Sequence, residues 1–127
     1  MRQVTLGDED VEWIDPMEDE HAEVKTILHD DAGFDAWADD RGILDALWIV
    51  YRFHRTVANQ LISRGVSDPG ESDWARRAIR LTKELKWRRA MLRHRFIEVY
   101  GEGSLREFLD TFKAQHPRAV RPVAVAA

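Results

Sequence analysis

The 127-residue chain contains no cysteine. That excludes a disulfide framework, a thiolate nucleophile and a cysteine-based zinc site. No apolar run approaches the roughly 20 residues that a membrane-spanning helix needs. The opening residues, MRQVTLGDEDVEW, lack the basic-then-apolar order of a secretory signal, so a cytoplasmic protein with no membrane partner is expected. Neither the dinucleotide-binding glycine pattern nor the Walker pattern occurs, and the GEGS run is too short to cradle a phosphate. His21, His29, His54, His94 and His116 include no pair three or four residues apart, so a helix-borne zinc site is not supported. His94 and Glu98 are four apart, but two ligands do not make a site. The acidic runs DDAGFD and DAWADDRG miss the register of a calcium loop. No serine has a histidine near it in sequence. These absences point away from an enzyme: no catalytic residue, metal or cofactor is expected.

What the chain does have is charge, unevenly placed. Residues 1–45 carry fifteen acids and three bases, a balance of −12. Residues 46–127 carry sixteen bases and eight acids, a balance of +8. The net charge of −4 conceals this opposition. Such asymmetry suggests a charged partner, or one half docking on the other.

The pattern is helical throughout. Residues 1–14 show no helical period and read as an acidic arm; Val4, Thr5 and Leu6 have no second strand to pair with. Asp15, Pro16 and Glu18 form a helix-start signature of N-cap, first-turn proline and capping-box acid. Met17, His21, Val24 and Leu28 then form a narrow apolar stripe, and this first helix should end between Asp30 and Gly33. Phe34 and Trp37 are placed on one face of a short turn. A second helix is predicted from Gly42 to Arg64, stopped by Gly65. Ile43, Leu47, Val50, Tyr51, His54, Val57, Ala58 and Leu61 share one face, while Trp48, Ile49 and Phe53 make the other sides apolar too. A helix apolar nearly all round is the buried one, and His54 is expected to be a buried, hydrogen-bonded histidine.

The connector GVSDPGESD is turn chemistry, with Asp68, Pro69 and Glu71 repeating the start signature. A third helix follows over 69–100, about 48 Å long. It should bury Trp74, Ala78, Leu81, Leu85, Leu92, Phe96 and Val99 and stop at Gly101. Ser104 and Glu107 read as a capping box opening a short fourth helix, with Leu105, Phe108, Leu109 and Phe112 on one side. The expected fold is all-α: an antiparallel hairpin of two long helices with a shorter helix packed from each end, three or four helices in all. Residues 15–116 would form one domain. Residues 117–127, with two prolines and no pattern, would be a disordered tail.

The third helix carries the candidate site. Between Trp74 and Ile97 it has nine Arg or Lys and one acid, Glu84. With Trp74 at the origin of a 100° wheel, the core face centres near about 20–40°, and Arg89, at about 60°, falls inside it. A guanidinium there needs a carboxylate or must snorkel, so Arg89 is expected to be a structural buried charge paired with an acid of the N-terminal half. Trp87 and Met91 point outward among Arg76, Arg80, Lys83 and His94. Either this is a partner-binding surface, since Trp and Arg dominate interface hot spots, or the first helix or the 34–37 turn covers Trp87 within the chain.

The segment HRTVANQLISRGVSDPGESDWARRAIRLTKEL, residues 54–85, is about a quarter of the chain. It resembles small, uncharacterised helical-hairpin accessory proteins of actinobacterial phages. The shared features are a His-Arg on one helix, a Leu and Arg-Gly near its end, an acidic turn, and Asp-Trp with Arg-Arg-Ala opening the next helix. The resemblance implies a small non-enzymatic role and assigns no residue. The expected function is a protein-interaction module that binds a protein partner, or a second copy of itself, through Arg76, Arg80, Lys83, Trp87, Met91 and His94. The alternatives are a nucleic-acid binder using the same basic helix, or a nucleic-acid mimic using the acidic segment. Against the binder stand an acidic pI and the absence of helix-turn-helix spacing.

Overall fold

The computed structural model describes residues 18–65 and 72–119. The acidic arm, the start signatures at Asp15–Pro16 and Asp68–Glu71, and residues 120–127 of the expected tail lie outside the described residues. Within them the protein is all-α, with five helices. These are α1 Glu18–Ile27, α2 Asp31–Arg41, α3 Ile43–Ser63, α4 Asp73–Tyr100 and α5 Glu102–Gln115. No helix among the described residues is long and apolar enough to cross a membrane.

Five helices replace the expected three or four because the chain breaks earlier and re-forms. The first helix ends at Ile27, and the Asp30 carboxylate accepts the Gly33 N–H at 3.1 Å, N-capping a new helix. The residues assigned to a short turn at Phe34 and Trp37 are therefore part of an eleven-residue helix that buries Phe34 and Ala38. Arg41 ties α2 back to α1, bonding Glu20 at 3.2 Å and Glu23 at 2.8 Å, and Trp37 Nε1 donates to Glu23 at 2.9 Å. The Glu23 hydrogen bond raises the pKa of Arg41 against a smaller opposing effect of burial.

Two joints need glycine. Gly42, at φ 94°, is the one residue between α2 and α3, and Gly101, at φ 89°, is the one residue between α4 and α5. Both lie in the positive-φ region that side chains with a Cβ avoid. Gly101 explains why the Ser104–Glu107 capping box is not one. α5 starts at Glu102, with Gly101 in the capping position, so Ser104 and Glu107 are exposed residues inside the helix. α4, for its part, is N-capped by Ser72, whose hydroxyl accepts from Ala75 N at 3.0 Å.

α3 is the centre of the core. Ala46, Leu47, Ile49, Val50, Tyr51, Phe53, Val57 and Leu61 are buried on all its sides, and α2, α4 and α1 pack around it. Its main partner is α4. Arg64 lies over Trp74, His54 meets Arg89, and Trp48 shares a groove with Phe96, so the two helices run in opposite directions. α5 closes one end through Phe108 and Phe112, which meet Trp48 and Tyr51 edge-on at 5.4–5.6 Å. Val99, expected in the core, is 63% exposed in the last turn of α4, where Tyr100 is half exposed as well. The first residues of the expected tail are held: Asn59 donates to Pro117 O and accepts from Ala119 N.

Candidate functional site

α4 presents four different sides, and the neighbours of each decide its chemistry. One side packs on α3 and α5 through Trp74, Ala75, Ala78, Leu85, Leu92 and Phe96. A flank faces α1 and α2, where the buried charge is found. It is Arg88, 1% exposed, and not Arg89. Arg88 Nε donates to Leu28 O at 2.9 Å and Nη2 to Asp31 at 2.8 Å. Its guanidinium lies 4.7 Å from the Phe34 ring and 4.5 Å from the Trp87 ring. The expectation of a pairing with an acid of the N-terminal half thus applies to the adjacent residue. The single-helix wheel missed it because α2, which that reading did not include, extends the covered face of α4 by about one residue's rotation. Farther along the same flank Arg95 pairs with Asp39 and, at 3.8 Å, with Asp35.

The outer side carries Trp87, which no helix among the described residues covers: it is 50% exposed. Trp87, Ala90, Met91, His94 and Arg95 line an open, mainly apolar groove of about 400 Å³. The structure therefore brings together three of the six sequence-selected residues, Trp87, Met91 and His94. The other three do not line this groove. Arg76 is exposed and paired with Asp73 one turn back. Arg80 lines a separate, smaller groove of about 160 Å³ with Lys25, His29 and Glu84. Lys83 is exposed, one turn before Trp87. His94 sits 3.0 Å from Glu98.

Two features escaped the sequence. A second apolar groove of about 500 Å³ lies between α3, α4 and α5, lined by Leu44, Trp48, Phe96 and Phe108 among others. Leu44 and Tyr100, both about half exposed, stand near this end of the fold. The signal available in sequence was Leu44, which falls outside the apolar face assigned to the second helix.

The other missed feature is the surroundings of Arg89. Half-buried, it stacks over Tyr51 at 4.8 Å and its Nη1 is 3.5 Å from His54 Nδ1. Burial, and after it the charges of Arg89, Arg55, Lys86 and Arg118, push the His54 imidazole down to about 4. An unperturbed imidazole titrates near about 6.5. Between those values the unfolded chain binds a proton at His54 that the folded chain refuses, so stability falls as pH drops through that window. The loss should reach up to about 3 kcal/mol near pH 4. His54→Gln should flatten this part of the profile in urea denaturation at about pH 7 and about pH 4.5. An unchanged slope would show that His54 titrates freely in the folded chain.

Comparison with protein-family models, curated proteins and solved structures finds no match for this chain.

Proposed function

We propose that this protein is a non-enzymatic interaction module, with the hairpin of α3 and α4 as its rigid support and the outer face of α4 as its grip. The observation that carries this reading is Trp87, half exposed at the edge of an apolar groove and held from below by a buried arginine. Arg88 is fixed by its bonds to Leu28 O and Asp31, so the indole beside it rests on a group that is already held in place. An anchor that loses little freedom on docking retains more of its contact energy. Arg80 and Lys83, on the same outer side, have no ion pair among the described residues. They suit a partner whose apolar anchor is flanked by carboxylates. The chain's own residues 1–45, at −12, have that chemistry, so the occupant put to the test is a second copy. A small accessory role of the kind found in phage hairpin proteins is compatible with this reading.

Light scattering at low and high salt, with and without DNA, tests it. The chain should self-associate, more strongly at low salt. Trp87→Ala should weaken association by about 2 kcal/mol or more, roughly thirtyfold, with little change in melting temperature. Leu44→Ser, in the second groove, should leave association unchanged. A chain that remains monomeric overturns the second-copy reading, and a Trp87→Ala protein that melts early but still associates places Trp87 in the core. Nucleic-acid binding is the second reading, favoured by the unpaired Arg80 and Lys83. It would show as DNA affinity whose logarithm falls linearly with the logarithm of salt concentration.

A further inference from the structure

The flank of α4 opposite Arg88 gathers cations with no carboxylate among them. Arg89 and Arg93 come from α4, His54 and Arg55 from α3, and Arg118 from the segment after α5. Arg118 is placed by Asn59, which accepts from Ala119 N at 2.8 Å and donates to Pro117 O at 3.2 Å. The contrast with arginines elsewhere in the fold is sharp. Arg41, Arg76, Arg88 and Arg95 each meet an acid. Arg55, Arg89, Arg93 and Arg118 meet none among the described residues.

Like charges held together without a counter-charge are unfavourable, more so where water is partly excluded. Burial, then Arg118 and Arg89, lower the pKa of Arg55. Burial also lowers that of Arg89, with Tyr51 opposing and Arg93 and Arg118 assisting. Two of the guanidinium groups are seated on aromatic rings: Arg89 on Tyr51 at 4.8 Å and Arg55 on Phe112 at 5.7 Å. A ring engages the face of a guanidinium and leaves the N–H edges to bond something else. These edges are planar forks that match a tetrahedral oxyanion bidentately. His54 stays neutral at pH 7, so it adds no further positive charge to the cluster.

We infer that His54, Arg55, Arg89, Arg93 and Arg118 form a binding site for a phosphate group carried by a small molecule. The arrangement calls for an anion with more than one charge in a small volume, which a phosphate dianion supplies and a single carboxylate does not. The site is separate from the Trp87 groove, lying on a different side of α4, and it stands whether or not that groove binds a partner.

The test is calorimetric titration of the full chain with inorganic phosphate, against chloride at matched ionic strength. Phosphate should bind saturably and raise the melting temperature as its concentration rises. Arg89→Gln and Arg118→Gln should each weaken binding by about tenfold or more, the loss of a charge-assisted hydrogen bond. Arg106→Gln, an exposed arginine of α5, should not. Arg118 is itself exposed, so its variant remains informative if Arg89→Gln fails to fold. A second readout is the His54 ring in an NMR pH titration: saturating phosphate should shift its midpoint upward, because a bound anion favours imidazolium. Phosphate indistinguishable from chloride, with a stationary His54 midpoint, overturns the proposal. Binding of a single-stranded oligonucleotide but not of phosphate overturns it in favour of a nucleic-acid backbone. If phosphate binds only after Asp8, Glu9, Asp10 and Glu12 are changed to their amides, the natural occupant is the chain's own acidic segment and the proposal fails.

Discussion

Arg88→Ala should destabilise the fold by roughly 3–5 kcal/mol, the cost of a large buried side chain lost together with a stranded polar group. The origin of the loss differs from that of an ordinary buried ion pair. Asp31 is 76% exposed, so removing its partner leaves the carboxylate in water, not stranded in the interior. What is stranded is the Leu28 carbonyl, which accepts from Arg88 Nε across 60 residues of sequence. A cavity opens as well beside Phe34 and Trp87, the two rings that the guanidinium contacts. Arg88→Met keeps most of the stem volume and should cost less, about 1–3 kcal/mol, mostly for the unsatisfied carbonyl. Urea denaturation at neutral pH measures both. Equal losses for Ala and Met would mean that packing around the stem contributes nothing. Two neutral results would mean that the guanidinium reaches solvent.

Truncations in the shared core of α3 and α4 should be of similar size. Leu47 and Leu85 are both fully buried, one on each long helix. Leu47→Ala and Leu85→Ala should each cost roughly 2–5 kcal/mol, from lost transfer energy and from a cavity that the surrounding helices fill only in part. Against a typical domain stability of about 5–15 kcal/mol, either could bring the chain near its unfolding threshold. Thermal melts followed by far-UV circular dichroism would show it. A neutral Leu85→Ala would mean that α4 is not packed on α3 at its middle.

The helical nature of the chain was legible because it depends on local pattern. Apolar spacing marked both long helices, and Gly65 and Gly101 marked where they stop. The outward direction of Trp87 was legible too, from its angle on one helix. What failed depended on partners. Arg88 and Arg89 are adjacent in sequence and about 100° apart on the wheel, one on each side of the core face, and only the position of α2 decides which of them is enclosed. α2 itself was read as a turn because the Asp30 cap lay inside what looked like the end of the preceding helix. The phosphate-site arginines come from three segments, and on each segment taken alone they look like ordinary surface charge. No periodicity within one helix can show that four arginines share a flank without an acid among the described residues.

The single-residue joints at Gly42 and Gly101 bear on how the protein meets a protease. A protease cleft takes an extended stretch of several residues, which surface loops offer and helices do not. At each joint one helix ends on one side of a glycine and the next begins on the other. To be cut there, the chain would first have to unwind a turn on each side and give up the contacts those turns make. Limited digestion should accordingly pass over Gly42 and Gly101, with no foothold at either joint.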